Sequence, residues 1–176
     1  MAHMPINHHL LGLWRTLAGL AGVYVLVFGI VGVVQTRDTE FFGREDTVVL
    51  GLRTNLAFAV LSIVVGAVVL LGALVGGNLD RLINLVGGIV FLSAGLIMLT
   101  VERTDANILN FTVATCVVSF LIGLVLLAAG LYGRVGSTDQ QHAEEAYRHG
   151  GIDPEGHVWQ HGQEQPHRPE DEHRFA

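Results

Sequence analysis

Six histidines follow Val135: His142, His149, His157, His161, His167 and His173. His157 and His161 are four residues apart, the spacing that sets two imidazoles on one helix face as half of a metal site. Gly156 and Gly162 bracket the pair and no third ligand stands at a matching interval, so no preformed metal centre and no cofactor are expected. Asn110, Thr112, Thr115 and Ser119 are spaced to line a small polar pocket at one end of a helix. Such groups in apolar helices more commonly bond backbone carbonyls or reach across to a neighbouring helix. Arg53 falls on the same side as Glu102 and Asp105, where a charge-assisted pair would tie the two halves of the chain together; otherwise it snorkels toward headgroups. Cys116 is the only cysteine, which rules out an internal disulfide or a CxxC redox pair. With no nucleophile–base pair or metal-ligand cluster, the chain is expected not to be an enzyme.

The elements that carry these residues are set by four apolar runs, Leu17–Val34, Leu56–Val75, Leu82–Val101 and Ile108–Tyr132, which contain no Asp, Glu, Lys, Arg or His. About 20 apolar residues suffice for a helix to cross ~30 Å of hydrocarbon. In lipid only helices and closed barrels satisfy their backbone groups, and these runs lack a barrel's alternation. The expected fold class is all-α: a polytopic membrane protein, a four-transmembrane-helix up-down bundle over residues 1–136 with a disordered C-terminal tail. The spans are placed at about 16–35, 47–76, 81–102 and 106–133, the second starting near Thr47 with Asp46 or Thr47 as its N-cap. The first span is too long for a signal-peptide h-region and is expected to be retained. No proline interrupts a span, so the broken helices of transporter substrate sites are not indicated. The absence of ionisable residues within the runs argues against proton coupling.

Small residues recur with a pattern. Arg15, Gly22 and Gly29 reappear as Arg81, Gly88 and Gly95, a shift of 66, and Ser62 and Gly66 reappear as Ser119 and Gly123, a shift of 57. The two shifts describe a tandem repeat of two-helix units, both in the same orientation and related by an axis along the membrane normal. The glycines form smooth stripes, and Ser62/Gly66 and Ser119/Gly123 are small-xxx-small pairs that let helices approach closely. These faces serve packing within the bundle or, as the second reading, contact with another copy of the chain.

The formal net charge of −6 belongs wholly to the tail: from Val135 onward nine acids face three arginines, whereas residues 1–134 carry seven of each sign. Nothing is basic enough for nucleic acid. A short helix over 138–148 is expected within an otherwise solvated tail too poor in large apolar residues to fold alone. Arg15, Arg81 and Arg134 hug the span ends on the side of the termini, against Arg37, Arg44, Arg53 and Arg103 on the other. On that basis both termini are placed in the cytoplasm of a plasma-membrane protein.

The stretch from Leu50 through Asn55 to Ser62, the run from Leu82 to Phe91, and the segment Thr104-Asp-Ala-Asn-Ile-Leu-Asn-Phe with the closing Gly130-Leu-Tyr-Gly resemble a family of small four-helix actinobacterial membrane proteins known only as a domain of unknown function (DUF4383). The resemblance covers about Leu11 to Gly136. The histidines it leads one to expect in helices two and four are replaced by Leu61, Ser62 and Val118. It implies a fold and no activity. The functional expectation is therefore an accessory or scaffold membrane protein in contact with the lipid bilayer, meeting a protein partner through its helix faces or its tail. The alternative is a small oligomeric transporter or channel.

Overall fold

The structure is a computed structural model that describes residues 8–137. Four long helices dominate it: α1 (Leu11–Thr36), α2 (Leu56–Val75), α3 (Gly77–Val101) and α4 (Val113–Tyr132), with a two-stranded ribbon, β1 (Val48–Val49) and β2 (Leu52–Arg53), between α1 and α2. All four helices are long and apolar enough to cross a membrane. The protein is a multi-pass membrane protein of the all-α class.

The helices run up, down, up and down. Trp14 near the start of α1 stacks on Tyr132 at the end of α4, with ring centroids 5.7 Å apart. Packing is most extensive between α1 and α2 and between α3 and α4, so the molecule is two tight hairpins laid side by side. The link from α2 to α3 is the single residue Gly76, whose φ of 76° is a left-handed conformation. A second constraint acts on it: the Arg15 guanidinium lies where a Gly76 side chain would begin. Arg15 donates from Nε to the Ala73 carbonyl at 2.5 Å and from Nη2 to the Leu74 carbonyl at 2.7 Å. Arg15 thus caps the last carbonyls of α2, where a cation also suits the helix dipole.

The element boundaries depart from the sequence expectation in physically readable ways. Helix α2 begins at Leu56, not near Thr47, because Asn55 is its N-cap and accepts from the Phe58 amide at 2.9 Å. Residues 48–53 form an antiparallel ribbon, with Val48 opposite Arg53 and Val49 opposite Leu52. Its turn, Leu50-Gly51, has φ of 49° and 84°, the paired positive values that match the twist of a two-residue hairpin. Helix α4 begins at Val113 and not at 106, since Thr112 and Thr115 form a reciprocal capping box. Helix α3 begins at Gly77, earlier than 81, and so takes Asp80 into its first turn. The expected tail and its short helix over 138–148 lie outside the described residues.

Leu50 is 54% exposed and carries a φ that costs a β-carbon-bearing residue about 1 kcal/mol. Leu50→Asn, which tolerates the left-handed region, should therefore stabilise the protein by about 0.5–1 kcal/mol. A thermal melt in detergent checks it, with Leu50→Ile as the destabilised counterpart.

Candidate functional site

At the end of the bundle away from the α2–α3 turn, three asparagines stitch the loops into a cap. Asn55, 2% exposed, donates to the carbonyls of Gly43 at 3.1 Å and Ile108 at 2.8 Å while its own oxygen caps α2. Asn107 donates to Glu102 at 3.0 Å and Phe111 at 2.8 Å, and accepts from the Phe111 amide at 2.8 Å. Asn110 donates to the Glu45 carbonyl at 2.8 Å and reaches the Thr54 carbonyl at 3.4 Å. Buried backbone carbonyls in loops need partners, and a carboxamide can serve two at once. Asn110 does not line a pocket inside helix four; it precedes α4, at φ 56°. Thr112 and Thr115 cap α4, and only Ser119 reaches across, donating to the Phe91 carbonyl at 2.9 Å. Ser62 donates to Phe58 within its own helix at 2.8 Å.

The tie between hairpins that the sequence assigned to Arg53 is made by Arg44. Its Nη1 contacts the Asp105 carboxylate at 3.1 Å, and Nη2 donates to the carbonyls of Thr104 at 3.3 Å and Asp105 at 2.8 Å. Arg53 instead pairs with Asp46 at 2.7 Å inside its own loop, because the ribbon turns it back on residues 44–47. The two arginines should respond differently to truncation. Arg44→Ala should lower the melting temperature by a few degrees even in high salt, since carbonyl hydrogen bonds persist there. Any loss from Arg53→Ala should vanish in high salt, as exposed ion pairs do.

The glycine faces lie inside the hairpins. A β-carbon on Gly22 would sit 2.9 Å from the Leu70 amide nitrogen, and one on Gly29 would sit 2.6 Å from that of Ile63. Gly66 lies against the Leu26 backbone. The second hairpin repeats this: Gly88 against the Leu127 nitrogen at 2.7 Å, Gly95 against Phe120 at 2.9 Å, Gly123 against the Leu92 nitrogen at 3.1 Å. Each contact in the second hairpin is the first hairpin's contact shifted by 66 in one helix and 57 in the other. The same shifts relate the N-caps Asn55 and Thr112, and the buried residues Ala59 and Cys116. The tandem repeat is thus present in the packing and not only in the letters.

Beneath the cap, the two hairpins leave an apolar cleft of about 110 Å³, whose lining includes Val25 and Phe28 of α1, Phe58 of α2, Phe91 of α3, Val118 of α4 and Leu52 of the ribbon. Val49 and Leu52 plug its upper end against Phe28. A second hollow of about 330 Å³ runs between α2 and α3 and shares Val65, Val90 and Phe91 with the first.

At the opposite end of the bundle, Asn84 is fully buried and donates to the Asp80 carboxylate at 2.8 Å, while its oxygen has no partner. Asp80, 6% exposed, sits in the first turn of α3, where a carboxylate suits the dipole. The i,i+4 spacing of Asp80 and Asn84 was the available signal, obscured by placing Asp80 in a turn. Among the described residues no three His, Cys, Asp or Glu side chains converge as a metal site requires. The His157/His161 pair lies outside the described residues.

No curated protein and no solved structure matches the chain. A family model described as a domain of unknown function (DUF4383) matches residues 15–132, the four helices together with the cap, and the chain belongs to that family.

Proposed function

We propose that this is a non-enzymatic accessory or scaffold protein of the plasma membrane, with both termini cytoplasmic. The observation that supports it most is where the polar side chains go. Asn55, Asn110 and Arg44 are committed to backbone carbonyls across the two hairpins and hold them in register, while Asn107, Ser62 and Ser119 bond carbonyls within one hairpin, so none of the six is poised over a reacting group. A stiff body of this kind offers fixed helix faces to a partner, and the acidic, histidine-rich tail offers a charged arm. Orientation rests on Arg15, Arg81 and Arg134 at the span ends on one side.

Affinity purification of the full chain in mild detergent tests this reading. A stoichiometric partner, lost on deleting residues 150–176 with no change in the melting temperature of the membrane domain, supports a scaffold with a docking arm. A self-associated oligomer without any partner favours a transporter or channel. Orientation is read by single cysteines in a Cys116→Ala background, where alanine is the residue at the equivalent Ala59. A membrane-impermeant thiol reagent applied to intact cells should label Thr39→Cys and Arg103→Cys and spare Asn78→Cys; the reverse pattern overturns a cytoplasmic tail.

A further inference from the structure

We infer that the cleft beneath the cap is a binding site for one small uncharged aromatic molecule, about the size of a benzene ring, taken up from the membrane. This goes beyond the scaffold reading and stands whether or not a protein partner exists. The cleft lies on the axis of the tandem repeat. Sixteen of its seventeen lining residues fall into eight pairs at the shifts of 66 and 57, from Leu52 with Leu109 to Val65 with Ile122, and Phe111 alone stands outside them. Each half of the chain thus contributes the same eight positions. In membrane proteins built from parallel repeats, the face the repeats share is where a substrate site forms.

The paired residues differ in size, and the differences make the room. Tyr24, Phe28 and Phe58 of the first half are matched by Val90, Ala94 and Thr115 of the second; the reverse exchange occurs once, Val25 against Phe91. Three positions that hold rings in one half therefore hold short side chains in the other, and the volume left over belongs to the cleft. The rings form a continuous wall. The Phe58 centroid lies 5.2 Å from that of Phe28 and 4.6 Å from that of Phe111, both pairs steeply tilted. Aromatic rings favour offset or edge-to-face partners, a preference that a planar ring satisfies and a saturated chain does not.

Water is a poor occupant, since it needs roughly two to four polar partners. The Ser62 and Ser119 hydroxyls donate to the Phe58 and Phe91 carbonyls, and Thr115 is engaged in capping α4. The volume of about 110 Å³ is of the same order as the ~150 Å³ of a Leu/Ile/Phe-lined cavity that admits benzene. Exposed Leu61 of α2 and Val90 of α3 stand on its lipid side, so a solute dissolved in hydrocarbon reaches it without crossing water. A rigid ring also gives up less conformational freedom on entry than the end of an acyl chain does.

The test is a melting curve of the full-length protein in detergent, with benzene or n-hexane added at equal fractions of saturation. Benzene at about ten times its dissociation constant should raise the melting temperature by about 4 °C, and hexane by less than about 1 °C. Ala94→Phe restores the ring of the equivalent Phe28 and fills the cleft, so it should abolish the benzene shift. Should that variant not fold, Val90→Tyr restores the ring of Tyr24 from the exposed rim and should do the same. A benzene shift that survives in a folded, filled variant overturns the proposal, since the solute then acts through the detergent. An equal shift from hexane overturns it too and identifies the occupant as a hydrocarbon chain. So does the lack of any shift at saturating benzene.

Discussion

Gly88→Leu should cost about 3 kcal/mol or more and lower the melting temperature in detergent by many degrees, because its side chain would begin 2.7 Å from the Leu127 backbone nitrogen. A flexible neighbour can yield; a helix backbone can do so only by moving the whole of α4 away from α3. Even Gly88→Ala should be clearly destabilising, although alanine is the better helix former by about 1 kcal/mol. Two comparisons separate close approach from propensity. Gly22→Ala, the equivalent position in the first hairpin, should lose a similar amount. Gly12→Ala, on the same helix as Gly22 but with nothing within 4 Å of its added carbon, should be neutral or stabilising. Equal melting temperatures for Gly88→Leu and the wild type would sink the account of the glycine faces.

Asn55→Ala should lose about 3 kcal/mol, as three hydrogen bonds end on this one side chain. It removes an N-cap worth about 1 kcal/mol and takes the partner from the Gly43 and Ile108 carbonyls in a half-buried loop junction. Asn55→Ser keeps a cap acceptor and loses the two long donations, so it should recover about 1 kcal/mol of the deficit. The paired variants divide the capping of α2 from the stitching of the cap, and differential scanning fluorimetry in detergent reads both. If serine rescued the protein fully, the bonds to Gly43 and Ile108 would contribute nothing, and the cap would be no more than a covering loop.

The spans were legible because hydrocarbon imposes one requirement, internal satisfaction of every backbone group, over a length that fixes a helix. The glycine faces were legible for a related reason: where no hydrophobic effect draws helices together, small residues at regular spacing are the remaining signal. The cap was not. Val48-Val49-Leu50-Gly51-Leu52 reads equally well as the first turns of an apolar helix, and its turn lacks the Asn-Gly or Asp-Gly that marks a hairpin. What decided it was Asn55, an N-cap type directly before the apolar run at Leu56, a signal overshadowed by Asp46 and Thr47. Arg53 was matched to the wrong acids for the same cause. A helix beginning at Thr47 would have carried it toward Glu102 and Asp105, whereas the ribbon folds it back on Asp46 and leaves the crossing to Arg44. Asn84 stands four residues after Asp80, but that spacing carries a signal only when Asp80 is inside the helix, and its burial beside the carboxylate is a fact of three dimensions.

The paired hairpins also set an order of assembly. The contacts of Gly22, Gly29 and Gly66 join α1 to α2, so that unit can close once Val75 is in the bilayer, before α3 is inserted. The bonds of Asn55 to Ile108, of Asn110 to Glu45 and of Arg44 to Asp105 cannot form until the loop after α3 has crossed to the far side. During synthesis, then, the Glu45 and Thr54 carbonyls on either side of the ribbon wait in water, and the arrival of Asn110 takes them up. The loop between α3 and α4 acts as a latch that closes only once α3 has crossed the membrane.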